Sequence, residues 1–169
     1  MRNQYSEETL SSQVLTQQQD SALDSWIRLI RGYASVTRAM SAELVAEHGL
    51  TINDYEALLH LSKAEDGRMR RVDLAGLLLL TASGVTRLLD GLETAGLVER
   101  ASCASDRRVA YAVLTDAGRT RLRKASVSHV AGVREFFEAR YSGQELAQLA
   151  DLLGRLPGAA GATAEDCTA

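Results

Sequence analysis

The chain is poor in the residues that mark several protein classes. Its 169 residues include two cysteines, one proline, one tryptophan and two phenylalanines. Cys103 and Cys167 are too few for a disulfide framework and have no metal-ligand spacing. No run of about 18 apolar residues occurs, so no membrane-spanning helix is expected. Residues 1–20 are polar and rich in Gln and Ser, without the apolar segment of a secretory signal, which makes the cytoplasm the expected compartment. No Gly-rich phosphate loop and no Gly-x-Ser-x-Gly motif is present, and this speaks against an enzyme. His48 and His129 stand as lone histidines, so neither a structural metal nor a cofactor is expected. Scarce aromatics exclude an all-β fold more readily than a helical one, and the abundant Leu and Ala favour helices.

What is present begins with charge. The net charge is −3, but it is unevenly spread. Between Arg68 and Lys124 eleven basic residues face six acidic ones, a balance of +5, which leaves −8 for the rest. A basic centre in an acidic chain points to an anionic partner for that centre alone.

Apolar spacing then divides the chain into elements. Residues 1–20 have no period and are expected as a disordered extension. From Ser21 to about Glu47, Leu23, Trp26, Ile27, Ile30, Ala34, Met40 and Leu44 recur at helical steps, and Gly49 ends the run. So long a helix suits an oligomer interface. Thr51 caps a second helix. A short extended piece follows at 68–70, then helices over about 72–79 and 82–95, the latter closed by Gly96. Residues 97–100 and 109–114 read as a hairpin around the polar loop 101–108. Thr115 and Ser142 cap two further helices, with Pro157-Gly158 ending the second and a loose tail over 158–169.

The order helix, strand, helix, turn, helix, strand, loop, strand over 51–115 is that of a winged helix-turn-helix. The fold class expected is therefore mainly α with a small β-hairpin wing, as one domain over 21–157. A second helix of such a pair fits the major groove, and its first residues must be small or hydrogen-bonding to approach base edges. Thr81, Ser83, Gly84, Thr86 and Arg87 occupy those positions. At the hairpin tip, Asp106-Arg107-Arg108 places arginine where it can enter the adjacent minor groove, with Asp106 holding Arg108.

The run from Asp106 to Gly118, with Asp-x-Arg, a strand ending in Leu114-Thr115 and then glycine, resembles the signature of the MarR family. Val85 to Glu93, followed by Gly96-Leu97-Val98-Glu99-Arg100, is similar to that family's recognition helix and its exit. The resemblance covers roughly 21–157. It implies a homodimer joined by the helices over 21–47 and 116–157, a pseudo-palindromic double-stranded DNA operator, and regulation of transcription. It further implies release by a small aromatic or phenolic effector, for which Trp26, Tyr33, Tyr55 and His60 are candidate pocket residues. Two other readings compete. One is a winged-helix module for protein–protein contact. The other is a redox-sensing regulator through Cys103, whose arginine neighbours would favour the thiolate.

Overall fold

The computed structural model describes residues 4–102 and 110–168, with side chains described over 21–101, 110–163, 165, 166 and 168. Compactness divides the chain into two units, Met1–Ala39 and Met40–Ala169.

That helix, α1, spans Gln4–His48. It begins well before Ser21, so residues 4–20, expected as part of a disordered extension, are helical. The stretch from 4 to 31 contains neither glycine nor proline, and its Gln, Glu, Leu and Ala residues cost little in a helix. Lack of an apolar stripe says that a face is not buried; it does not stop a helix. Within the first unit the stripe that does exist is open: Leu23, Ile27 and Ile30 are exposed, as are Trp26 and Tyr33, at 60% and 69%.

The second unit holds the core. Helix α2 (Ile52–Lys63) starts on a capping box in which the Thr51 hydroxyl accepts from Asp54 N and the Asp54 carboxylate accepts from Thr51 N at 2.9 Å. Strand β1 (Arg68–Arg70) leads straight into α3 (Arg71–Leu77), and α4 (Ala82–Thr94) follows after a short turn. Gly96, at φ +69°, then closes α4: its N–H reaches Glu93 O and the Leu97 N–H reaches Leu92 O, both at 2.9 Å. Strands β2 (Val98–Ser102) and β3 (Ala110–Leu114) pair antiparallel, and β1 joins the far side of β3, giving a sheet of order β1-β3-β2.

Helix α5 (Asp116–Glu138) starts at Thr115, whose hydroxyl accepts from Gly118 N at 3.0 Å. Gly118 is a close-approach position. A Cβ there would lie 2.1 Å from the Leu97 carbonyl oxygen and 2.8 Å from Leu114 Cδ1. The glycine after the Leu-Thr pair therefore lets α5 press against the entry to the wing. Leu44, Leu58, Leu61, Leu74, Leu89 and Leu122 form the shared interior of the elements.

Helix α6 (Gly143–Gly154) begins on a second capping box, Ser142 with Glu145, and contains no buried residue. Beyond it the chain is not simply loose. Residues Ala164–Cys167 form a short 3-10 turn, with Thr163 N donating to Asp166 Oδ2 at 2.8 Å. Lys63 Nζ donates to the Glu165 carbonyl at 2.8 Å, which ties the segment to the end of α2. Among the described residues no single helix is long and apolar enough to cross a membrane.

Candidate nucleic-acid interface

The α3–α4 pair turns through 107° between its helices, within the range for a helix-turn-helix. The turn is made by Leu78, Leu79 and Leu80. Leu79 takes the left-handed conformation at φ +52°, while Leu80 N–H returns to Ala75 O at 3.1 Å. The turn thus has the hydrogen bonding of a glycine-ended helix without the glycine.

Helix α4 sorts its residues cleanly. Val85, Leu89 and Leu92 are buried and Leu88 packs against the same core. Every fourth position on the other side is open: Ala82, Ser83, Thr86, Arg87 and Asp90 are exposed. Several of the hydroxyls are already engaged in shaping the helix start. Thr81 Oγ1 accepts from Gly84 N at 3.1 Å and lies 3.1 Å from Ser83 Oγ, and Thr86 Oγ1 donates to Ala82 O at 2.8 Å. Gly84 is half-buried, and a Cβ there would stand 3.2 Å from Thr81 Oγ1. Its place is in the turn, beneath the outward face that Ser83, Thr86 and Arg87 share. Among the described residues no carboxylate pairs with Arg87, so its charge faces outward uncompensated.

The basic centre is less cationic in space than in sequence. Arg70 forms a two-pronged pair with Asp73, Nε to Oδ2 at 2.6 Å and Nη2 to Oδ1 at 3.0 Å. Those hydrogen bonds hold its guanidinium above its ordinary pKa. Arg100, on β2, donates Nη2 to Asp90 Oδ1 at 2.7 Å and Nε to Glu93 Oε1 at 3.0 Å. Arg68 lies over the Tyr111 ring with 4.2 Å to its centroid. Composition does not reveal the Arg100 clamp. Its partners lie seven and ten positions away on a different element, and only the return of β2 past α4 brings them together.

The wing strands pair as far as Ser102 with Ala110. Cys103, Asp106, Arg107 and Arg108 fall between those ends, outside the described residues.

The four candidate pocket residues separate. Trp26 and Tyr33 belong to the first unit and are exposed. Tyr55 is a core residue, 1% exposed, with its hydroxyl 3.0 Å from Ser126 Oγ and its ring centroid 4.6 Å from that of His129. His60 is half-buried on α2, and burial lowers its pKa. A small cleft lined by Met40, Glu43, Leu44, Glu47, Ser128 and His129 measures about 20 Å³, room for a single water.

Known proteins place this geometry. A family model described as MarR family matches residues 48–109. The MarR family transcriptional regulator AbsC from Streptomyces coelicolor is 36% identical, with a TM-score of 0.69 over 79% of this chain and 90% of its own. Sco3205 from the same organism, a MarR family regulator solved in complex with DNA, is 27% identical, with a TM-score of 0.69 over 76% of this chain and 80% of its own. The transcriptional repressor YetL from Bacillus subtilis is 32% identical over 111 residues, 66% of each chain. The mainly helical architecture with its small three-stranded antiparallel sheet matches that of these structures, and this chain belongs to the MarR family of transcriptional regulators.

Proposed function

We propose that the protein is a homodimeric, sequence-specific DNA-binding repressor acting in the cytoplasm. The observation that carries this reading is the outward face of α4. Ser83, Thr86 and Arg87 stand exposed at the start of a helix whose opposite face is locked into the core. Such a helix presents donors to base edges in the major groove. Thr81 and Gly84 support it from the turn, and Asp106, Arg107 and Arg108 would act from the wing. The DNA-bound relative supports the mode of binding, and the repressor among the relatives supports the direction of control.

A second copy of the chain is the natural cover for two apolar faces. Leu23, Trp26, Ile27 and Ile30 are open on α1, and Leu152, Leu153 and Leu156 are open on or just after α6. Contiguous exposed apolar surface of this kind marks association sites. The domain division that follows is a DNA-binding lobe over 51–115 and association helices over 21–47 and 116–157. Two recognition helices would then sit about 34 Å apart on a pseudo-palindromic operator.

Release by a small aromatic or phenolic effector is a finer part of this reading. Tyr55 offers it little, since its ring is enclosed. Half-buried His60 and exposed Trp26 and Tyr33 are the side chains left for such a ligand. An effector acting with ordinary coupling would weaken operator binding roughly 5- to 150-fold.

The test is titration of selected operator DNA across salt concentrations. Arg87→Ala should weaken operator binding and reduce the preference for operator over unrelated DNA, the mark of a side chain that reaches base edges. Asp106→Ala separates orientation from bulk charge, because losing a negative charge beside DNA should tighten binding unless Asp106 positions Arg108. If Arg87→Ala binds operator as tightly and as selectively as wild type, Arg87 is removed from the interface.

A further inference from the structure

Away from α4, α2 and α5 enclose an open cleft of about 250 Å³ lined by Ser62, Lys63, Arg119, Leu122, Arg123 and Thr168. Three of these six side chains are cationic. Arg119 and Arg123 lie four positions apart on one face of α5, where like charges repel. Gly67 makes room for the first of them: it sits at φ +66°, and a Cβ there would stand 3.1 Å from Arg119 Nη2. Lys63 closes the third side from the last turn of α2. Among the described residues no carboxylate pairs with Arg119 or Arg123, and the Arg123 guanidinium reaches only the Thr120 hydroxyl, at 3.3 Å. Leu122, fully buried, forms an apolar floor between the cations.

Among the described residues, the carboxylate that pairs with a cation of this cleft belongs to Asp166. Asp166 Oδ1 lies 4.0 Å from Lys63 Nζ, and the same ammonium donates to the Glu165 carbonyl at 2.8 Å. The Thr163–Asp166 hydrogen bond shapes the turn that brings them there. With Lys63 paired at 4.0 Å and neither Arg119 nor Arg123 paired to a carboxylate among the described residues, the lining of the cleft is predominantly cationic. Guanidinium pairs suit carboxylate and phosphate oxygens, which they bind in two-pronged fashion.

We propose that this cleft is a binding site for a small dianion bearing carboxylate or phosphate groups, and that the segment 163–168 competes for it through Asp166. Lys63, Arg119 and Arg123 hold the anionic oxygens, and the methylene stems of these side chains, above Leu122, flank the rest of the ligand. An entering dianion replaces Asp166 at Lys63 and frees the turn. The site stands apart from the α4 interface, and binding to it is measured on DNA-free protein, so it does not depend on the DNA-binding reading.

Inorganic pyrophosphate and benzene-1,2-dicarboxylate serve as probes, titrated into full-length protein at low salt while the Leu122 methyl resonances are followed. Saturable shifts are expected with at least one probe, and which one binds distinguishes a phosphate ligand from a carboxylate ligand. Arg123→Ala should weaken binding about tenfold or more, the usual loss of a charge-assisted contact. Arg134→Ala, an exposed cation elsewhere on α5, should leave it unchanged. Asp166→Asn should tighten binding roughly two- to fivefold, the scale of an exposed ion pair. No shift at Leu122 with either probe, or equal weakening by Arg123→Ala and Arg134→Ala, overturns the site. Asp166→Asn binding no tighter than wild type overturns the competition. Should Arg123→Ala reduce DNA affinity while pyrophosphate and dicarboxylate bind as before, the cations serve the DNA backbone and the proposal is wrong.

Discussion

Arg100 Nη2 donates to Asp90 Oδ1 at 2.7 Å and so joins the first wing strand to the helix proposed to read DNA. Its Nε adds a bond to Glu93 Oε1 at 3.0 Å, one helical turn further on. The clamp does two things for an exposed helix. It sets the position of β2 against α4, and it offsets half of the charge of two carboxylates on a surface proposed to meet phosphate.

Breaking the clamp should therefore cost affinity more than stability. All three side chains are open to solvent to some degree, and exposed pairs add little to folding. Arg100→Met is expected to melt close to wild type yet bind operator more weakly, because Asp90 and Glu93 then repel the backbone. Adding Asp90→Asn and Glu93→Gln should recover part of the lost affinity. If the triple variant binds no better than Arg100→Met, repulsion is not the cause and geometry is.

Gly118 makes the opposite kind of prediction. The obstacle to a side chain there is the Leu97 backbone carbonyl, which cannot rotate away. That carbonyl also accepts the Thr115 N–H at 3.2 Å. Gly118→Ala should destabilise by about 1–3 kcal/mol, the cost of overpacking, despite the better helix propensity of alanine. Urea melts of the two proteins measure this; equal midpoints would mean that α5 can shift freely.

Leu79 holds a left-handed conformation with its side chain 92% exposed. A branched residue at this position carries strain of about 1 kcal/mol or more, with no buried contact to offset it. Leu79→Gly should raise the melting temperature, and Leu79→Asn should do so to a smaller degree. A fall in stability for both would show that the leucine side chain makes contacts worth more than the strain.

Acid should loosen the α2–α5 packing. Burial lowers the pKa of His129, which packs on Tyr55 and shares its cleft with Glu43 and Glu47 of α1. Burial, with help from Lys63, lowers His60 also. A histidine with a folded pKa below its unfolded value binds fewer protons when folded, so stability is full above the unfolded pKa of about 6.5 and declines as pH falls through it. Glu56, exposed on α2, has its pKa raised by partial desolvation, so any effect it has on stability runs the other way, and solvent keeps it small. Melting temperature is expected to drop between pH 7.5 and pH 5, and His60→Gln with His129→Gln should flatten that slope. An equally steep slope in the double variant would assign the effect to other groups.

Much of this molecule could be read one short stretch at a time. Thr51, Thr115 and Ser142 each begin a helix where an N-cap was expected, and Gly96 ends one, because capping is a matter of a few adjacent residues. The alternation at 109–114 gave the returning strand, and the spacing of Val85, Leu88, Leu89 and Leu92 gave the buried side of α4 and hence its open side. The family signature added the role of Gly118 without its reason, which is the nearness of the Leu97 carbonyl.

The rest depended on residues that meet only when the chain folds. Tyr55 lies on a helix like any candidate pocket residue, yet α5 brings Ser126 and His129 against it and makes it core. Residues 4–20 lack an apolar period, and the helix runs through them because nothing in them breaks it. The positive balance of 68–124 dissolved in part once Asp73 met Arg70 and two carboxylates met Arg100. Part of it reappeared at Arg119 and Arg123, which α5 brings beside Lys63 of α2. Periodicity and caps act over one or two turns of chain, so they are written in the order of residues. Charge pairing, enclosure and clefts are set by distances of a few ångströms between segments far apart in that order, and the packing of α2, α4, α5 and the wing decided them.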